Sequence, residues 1–218
     1  EYDSDLQNTY DVTNLKKTEI NVNAIDFYSA GNSNPNRNNK ITSNAFSVNF
    51  TTGNRKQAFF MSDLSGLSNE SEYLKKVYLK LSVRAVGTSK LALRDTEYKE
   101  TSEFTDNTAY IYSSSNPTLS AEKYLEWYGL ISKTSDYIRI LDVPQTANQS
   151  FYVDITDYAE KCIFENSGKL ALNAKLFNED ISTVIWGSYS TVDDAYKPMI
   201  IAYVDEDAMN ADIEKEYI

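Results

Sequence analysis

Aromatic side chains are the residues of this chain with the clearest potential to hold a ligand. The sequence contains 17 Tyr and 2 Trp, and an exposed ring can stack on the apolar face of a pyranose or anchor a protein partner. Tyr110 and Tyr112 are two residues apart and therefore share one face of a strand. Trp127 and Tyr128 are adjacent. These four are the candidate ligand-binding residues; the alternative is that they pack in the core or cover sheet edges.

Catalytic and metal-binding residue types form no recognisable constellation. Histidine is absent and Cys162 is the single cysteine, so Ser-His-Asp triads, Cys-His pairs and Cys/His zinc sites cannot form. The 32 Asp and Glu residues could include a glycosidase acid and base, which need no local sequence signature, but most must be solvated surface groups. We therefore expect a protein that is not an enzyme and has no catalytic residues.

Asp193 and Asp194 form a candidate cation site. Their carboxylates, placed in a turn, could offer oxygen ligands to Ca²⁺, although the spacing is not that of an EF-hand. A plain acidic turn is the alternative. Cys162 is expected to be a packed small hydrophobe rather than a reactive thiol. No cofactor is expected, with calcium as the one candidate ion.

The net charge of −11 limits the partners. It repels the phosphate backbone and anionic membranes, and no run of about 18 apolar residues could cross a bilayer. We expect no nucleic acid and no membrane insertion. The chain begins with Glu1 rather than Met, which suggests a processed or trimmed product. A secreted or cell-surface location is the corresponding expectation.

Segments that alternate apolar and polar residues lie along most of the chain and must position these side chains. Strand side chains point alternately to opposite faces, so such segments predict antiparallel sheets with one buried and one solvated face. Eight residues are predicted to point into one core: Val77, Leu79, Leu81, Val83, Leu170, Leu172, Ala174 and Leu176. The predicted strands are Ile20–Tyr28, Ala45–Phe50, Gln57–Met61, Val77–Val86, Leu91–Leu93, Thr108–Tyr112, Tyr137–Leu141, Phe151–Ile155, Lys169–Leu176, Thr183–Tyr189 and Met199–Val204. With almost no helix between them, they indicate an all-β fold, an antiparallel β-sandwich that is jelly-roll-like.

One or two short helices interrupt this pattern. The better candidate is Thr156–Phe164, with Thr156 as N-cap and Ser167–Gly168 at its end. The second is Leu119–Trp127. The Asn-rich stretch Gly31–Asn39 is typical of a loop, and apolar neighbours favour burial of Trp186.

The domain organisation expected is a single sandwich domain over residues 18–204. It is preceded by a polar N-terminal arm, 1–17, and followed by an acidic C-terminal tail, 205–218, which is either a helix or frayed. Both ends carry spaced hydrophobic anchors that could dock on a neighbouring copy. These anchors are Leu6, Val12, Leu15, Met209, Ile213 and Ile218.

Three pairs of segments occur in order between residues 58 and 204. They are Ala58–Ser65 with Val77–Leu81, Tyr152–Tyr158 with Gly168–Leu172, and Ile185–Tyr189 with Lys197–Val204. Together they resemble the DNRLRE domains of secreted and surface bacterial proteins, relatives of which include carbohydrate-binding modules. The resemblance implies a non-catalytic extracellular or cell-surface module that binds carbohydrate. Because the chain is acidic, the expected ligand is a neutral or weakly charged polysaccharide.

A second function is left open by the sequence. In this alternative the chain is a structural or adhesive subunit that self-assembles through its terminal arms. The expected partners are accordingly a polysaccharide or neighbouring protein copies.

Overall fold

The computed structural model of the chain describes residues 11–30, 36–40, 45–51, 54–85, 90–98, 100, 109–111, 137–176, 183–188 and 190–216. Within these ranges the fold is all-β and antiparallel, with a sandwich-like arrangement of sheets. The described strands are β1 (Lys16–Asn21), β2 (Asn23–Ala30), β3 (Asn36–Lys40), β4 (Ala45–Thr51), β5 (Asn54–Asp63), β6 (Leu74–Ala85), β7 (Lys90–Asp95), β8 (Ala109–Ile111), β9 (Tyr137–Asp142), β10 (Ser150–Asp154), β11 (Lys169–Leu176), β12 (Thr183–Trp186) and β13 (Met199–Val204). The described helices are a 3₁₀ helix (Ser65–Tyr73), α1 (Thr156–Glu165) and α2 (Glu206–Glu216).

Strand β6 is the central strand of the first sheet. It has 12 residues, and those from Tyr78 to Ser82 pair with β10 along one edge. Along the other edge β13 pairs with the first part of β6 and β12 with its last residues, so β12 and β13 lie end to end. Strand β1 pairs with β13. Both strands therefore pair with the same edge of β6, and the connection between β12 and β13 leaves this edge and returns to it.

Strand β5 organises the second sheet. It pairs with β2 on one edge and with β4 and β11 on the other. The sheet continues from β11 to β7 and β9, and from β2 to β3 and β8. Every one of these pairings is antiparallel, in agreement with the alternating sequence pattern.

One hydrophobic core joins the two sheets. Seven of the eight residues predicted to point inward, Val77 to Val83 on alternate positions and Leu170, Leu172 and Ala174, are fully buried in one cluster. The side chain of Leu176 lies outside the described residues. Burying a Val or Leu side chain stabilises a fold by about 1.5–3 kcal/mol relative to leaving it exposed.

A buried polar cluster lies on the other face of the second sheet, opposite the side chains that point into this core. Arg94 on β7 is 4% exposed and Asn173 on β11 is fully buried. The Asn173 Oδ1 accepts hydrogen bonds from Arg94 Nε at 3.1 Å and from Nη2 at 2.6 Å. The Asn173 amide also donates to the Ala58 carbonyl oxygen of β5 at 3.3 Å. These bonds tie three strands together while satisfying groups that would be costly to bury alone.

One strand prediction and one loop prediction are wrong in detail. Ile20–Tyr28 is not a single strand, because β1 pairs with β13 and β2 with β5, and the chain crosses between the sheets at the buried Val22. The stretch Gly31–Asn39 is not wholly a loop, since Asn36–Lys40 forms β3. Strands β2 and β8 pair with β3 on both sides, and this tertiary pairing overrides the low strand propensity of asparagine.

The helix prediction for Thr156–Phe164 is confirmed, but the predicted cap is wrong. Ile155 occupies the N-cap position. The Thr156 hydroxyl instead donates to Asp154 Oδ1 at 2.6 Å and accepts from the Val77 N–H at 3.0 Å. Cys162 is fully buried, as expected, and burial raises the pKa of its thiol. The candidate helix Leu119–Trp127 lies outside the described residues.

Both described ends of the chain contact the sandwich. Val12 and Leu15 pack against Tyr78, Ile201 and Tyr203, and β1 begins at Lys16. The C-terminal segment forms α2, and Tyr73 donates to Asp212 Oδ2 at 3.1 Å. None of the described helices is both long and apolar enough to span a membrane.

Candidate functional site

The face of the β6 sheet that points away from the core carries the candidate site. Alternation places Tyr78, Lys80 and Arg84 on this side of β6, opposite the buried odd-numbered residues. The backbone register sets Lys80 beside Met199 of β13 and beside Tyr152 of β10. We call this surface the outer face.

Part of the outer face is a second, smaller apolar cluster. Tyr78, Ile201 and Tyr203 are buried there, and the Tyr78 and Tyr203 rings meet edge to face at 6.3 Å. Val12 and Leu15 cover this cluster from the N-terminal side.

The connection between β12 and β13 closes one side of the outer face. The rings of Trp186 and Tyr196 stack with centroids 5.7 Å apart, and Arg84 lies 5.2 Å from the Trp186 ring centre. Trp186 Nε1 donates to Asn148 Oδ1 at 3.0 Å. Lys80 Nζ donates to the Ala195 carbonyl oxygen at 2.6 Å. These contacts hold the connection against the sheet.

The prediction that Trp186 is a core residue is wrong. Its neighbour Ile185 is fully buried, and strand alternation places Trp186 on the opposite side, half-buried. Its ring is engaged by Tyr196 and Arg84. Trp186 therefore positions the β12–β13 connection.

A pocket of about 460 Å³ lies between this connection and β1. Its base includes Met199, Ile201 and the ring of Tyr152. Its polar walls come from β1, β6 and the connection: Lys17, Glu19, Asn21, Lys80, Asp194, Ala195 and Lys197. We call it the outer-face pocket.

Four of the charged side chains in the pocket form two ion pairs. Lys17 Nζ lies 2.5 Å from Glu19 Oε1, and Lys197 Nζ lies 2.6 Å from Asp194 Oδ1. The Lys17 hydrogen bond lowers the pKa of Glu19, and the Lys197 hydrogen bond lowers the pKa of Asp194. Both carboxyl groups are therefore ionised at neutral pH.

Tyr152 and Lys80 line the pocket from opposite positions of the β10–β6 ladder, and both are half-buried. Burial raises the pKa of the Tyr152 phenol and lowers the pKa of the Lys80 ammonium. Among the residues that the structure describes, the Tyr152 hydroxyl has no hydrogen-bond partner. The pocket thus offers an aromatic surface, a hydroxyl, an amide and an ammonium group to a ligand.

Of the four residues predicted from sequence to bind a ligand, only Tyr110 has a described backbone. Tyr110 lies in β8, where its backbone is paired with Arg37 of β3. Tyr112, Trp127 and Tyr128 lie outside the described residues. Their role stays a prediction.

The acidic pair Asp193 and Asp194 has structural contacts. Asp193 Oδ1 accepts from the Ala195 N–H at 2.9 Å, and Asp194 pairs with Lys197. In the described ranges no three His, Cys, Asp or Glu side chains are grouped to hold a metal ion. The acidic turn that was the alternative to a calcium site fits these contacts.

No protein-family model matches the chain, and no curated protein is detectably similar to it in sequence.

Sequence reasoning missed Tyr152 and Lys80. The signal was present in the polar positions of two predicted strands, Tyr152 beside Val153 and Lys80 between Leu79 and Leu81. What the pattern lacked was the order of the strands, which brings β1, β13, β6 and β10 side by side.

Proposed function

We propose that this chain is a non-catalytic binding module that holds carbohydrate in the outer-face pocket. The observation that carries the proposal is the combination of the Tyr152 ring and an apolar base with ionic and amide groups around them. A sugar ring has one surface of C–H groups, which stacks on an aromatic ring, and an edge of hydroxyl groups, which need donors and acceptors. The resemblance to DNRLRE domains of secreted and surface proteins supports the same function and an extracellular or cell-surface location.

The size of the pocket supports a small ligand. Its volume of about 460 Å³ falls in the range of about 300–1,000 Å³ typical of small-molecule sites. It is open on the outer face, where a short stretch of a longer glycan can enter.

The state of the two pocket carboxylates supports binding rather than hydrolysis. A glycosidase needs one carboxylic acid that stays protonated because its pKa is raised. Glu19 and Asp194 are instead held by lysines that lower their pKa values. Neither is suited to donate a proton to a leaving group.

The test is a binding titration with a panel of neutral and acidic oligosaccharides, in which binding is measured by calorimetry or by NMR. Replacing Tyr152 with alanine should weaken the best ligand by roughly tenfold, since a well-placed aromatic contact contributes about 0.5–1.5 kcal/mol and tenfold corresponds to about 1.4 kcal/mol. The matched control is Tyr98→Ala, which removes a half-buried tyrosine that does not line the pocket.

Two results would contradict the proposal: no saccharide binds, or Tyr152→Ala and Tyr98→Ala bind equally well. The same assay applied to alanine variants of Tyr110, Tyr112, Trp127 and Tyr128 tests the surface predicted from sequence. Loss of binding there with full binding in Tyr152→Ala would move the site to those residues.

Self-assembly is the second candidate function, and exposure of α2 favours it. Ile213 is 46% exposed on this helix, where it is accessible to a neighbouring copy. The N-terminal anchors Val12 and Leu15, by contrast, pack on their own chain. Assembly would therefore use the C-terminal helix.

A further inference from the structure

The charges lining the outer-face pocket do not balance. Lys17 and Glu19 neutralise each other, as do Lys197 and Asp194. Lys80 is left over. In the part of the chain that the structure describes, its ammonium forms no ion pair and donates only to the Ala195 carbonyl oxygen. An ammonium has three N–H donors, so two of them are available to a ligand.

Lys80 is placed where a bound sugar would meet it. Its backbone register sets it between Met199 and Tyr152, the residues that supply the apolar contacts of the pocket. A ring stacked on Tyr152 would therefore bring its substituents to the lysine. Burial has the largest effect on the pKa of the Lys80 ammonium and lowers it; Lys17 lowers it further, while the carboxylates of Glu19 and Asp193 act in the opposite direction.

The environment of Lys80 also favours an anion. Burial lowers the pKa of its ammonium, because a cation withdrawn from water loses solvation. A ligand anion in contact with it would restore that lost interaction, whereas a neutral ligand would remove more water and supply no counter-charge.

The net charge of −11 does not forbid such a ligand. Interactions between exposed charges are largely screened beyond about 8 Å at physiological ionic strength, while a contact inside a pocket is screened much less. The distant carboxylates lower the association rate of an anion. The contact with Lys80 contributes to its affinity.

We infer that the saccharide held in the outer-face pocket carries an acidic group, a carboxylate or a sulfate, and that this group pairs with the ammonium of Lys80. The inference rests on the proposed function and narrows it to acidic sugars. It replaces the expectation of a neutral ligand, which was drawn from the net charge alone.

The experiment compares three ligands: an oligouronate, its neutral methyl ester and a sulfated oligosaccharide of similar length. With the wild-type chain, at least one acidic form should bind roughly tenfold or more tightly than the ester, in line with the strength of a charge-assisted contact. Preference for the uronate identifies a carboxylate, and preference for the sulfated form identifies a sulfate.

The decisive variant is Lys80→Gln, which removes the charge but keeps a side-chain N–H donor for the Ala195 carbonyl oxygen. It should bind the acidic form and the ester equally well. Lys80→Arg should retain the preference for the acid. Lys161→Gln makes the same charge change on an exposed lysine of α1 and should leave the preference intact. Thermal melting of each variant verifies that it is folded.

Three outcomes separate this inference from the proposed function. If the wild type binds the ester as tightly as the acidic forms, or if Lys80→Gln keeps the preference, the inference is wrong while carbohydrate binding stands. If no saccharide of any charge binds, the proposed function fails and the inference fails with it.

Discussion

Individual charged residues of this protein are paired across strands. Asp63 of β5 and Lys169 of β11 occupy opposite positions of the ladder, and Lys169 Nζ donates to Asp63 Oδ2 at 2.7 Å. The hydrogen bond from Lys169, followed by those from Ser65, lowers the pKa of Asp63 to about 2. Lys169 also lies 5.1 Å from the ring centre of Tyr98. The pair therefore stabilises the start of β11.

A pH dependence follows from the ionisation of Asp63. Its pKa is about 2 in the folded chain, compared with an ordinary value of 3.8. Stabilisation by the ionised carboxyl is complete above its ordinary pKa and is lost as the pH falls toward about 2. We expect Asp63→Asn to be less stable than the wild type at neutral pH, and this difference to shrink as the pH falls through that window. Denaturant unfolding of both proteins at several pH values measures it.

The effect is read from the difference between the two proteins, because other carboxyls such as Asp154 also have a lowered pKa. The Asp63 side chain is 45% exposed, so the difference should be modest and should decrease with added salt. A difference that stays constant from pH 7 to pH 2 would show that Asp63 does not contribute through its charge.

At the scale of elements, the junction between the 3₁₀ helix and α1 is fixed by one close backbone approach. The Leu64 N–H donates to the Gly168 carbonyl oxygen at 2.8 Å, and the Gly168 N–H donates to the Cys162 carbonyl oxygen at 2.9 Å. Gly168 has a φ of +81°, and a Cβ atom there would lie 2.4 Å from Ser65 N. The end of α1 is thus pressed against the start of the 3₁₀ helix.

Gly168→Ala should therefore destabilise the fold by about 2 kcal/mol or more, since both the positive φ and the contact with backbone atoms oppose a side chain. The matched control is Gly66→Ala in the 3₁₀ helix, where an added Cβ meets no atom within 4 Å. The control should change stability by less than about 1 kcal/mol. Chemical denaturation of both variants checks this, and equal losses would argue against the close approach at Gly168.

The sequence pattern predicts elements well where one strand carries its own signal. The bounds of β11 and β13 match the predicted Lys169–Leu176 and Met199–Val204, because apolar residues repeat at strand spacing along β11 and form one continuous apolar run along β13. Strand β3 has no such repeat and owes its existence to neighbours on both sides. The outer-face pocket was missed for a related reason. Lys17, Lys80 and Tyr152 are far apart in sequence and meet only through the order of four strands.

At the scale of the whole molecule, charge opposes association and exposed hydrophobic residues favour it. The chain carries a net charge of −11, while Phe164 and Ile213 are 70% and 46% exposed on α1 and α2. Salt weakens the repulsion between copies without weakening apolar contacts. Removing the N-terminal arm is a poor probe of association, because it would also uncover the apolar cluster beneath Val12 and Leu15.

We predict that the chain associates more at about 1 M salt than at about 0.01 M, where the Debye lengths are about 3 Å and 30 Å. Replacing Ile213 with glutamine should reduce this association, while Ala211→Gln, an exposed position on the same helix, should not. Sedimentation velocity at the two salt concentrations measures it. A wild-type chain that stays monomeric at both would count against assembly through α2.

The connection between β12 and β13 can change in sequence and length without disturbing the strands on either side of it. Its two ends are fixed independently, because each flanking strand keeps its own backbone pairing with β6. Doubling the length of a flexible loop costs only about 0.6 kcal/mol in closure entropy. Insertions, deletions and substitutions in this connection can therefore reshape one wall of the outer-face pocket while the sheet beneath is preserved. The fold is therefore a suitable scaffold for laboratory selection, in which variants with a randomised β12–β13 connection are screened against new ligands.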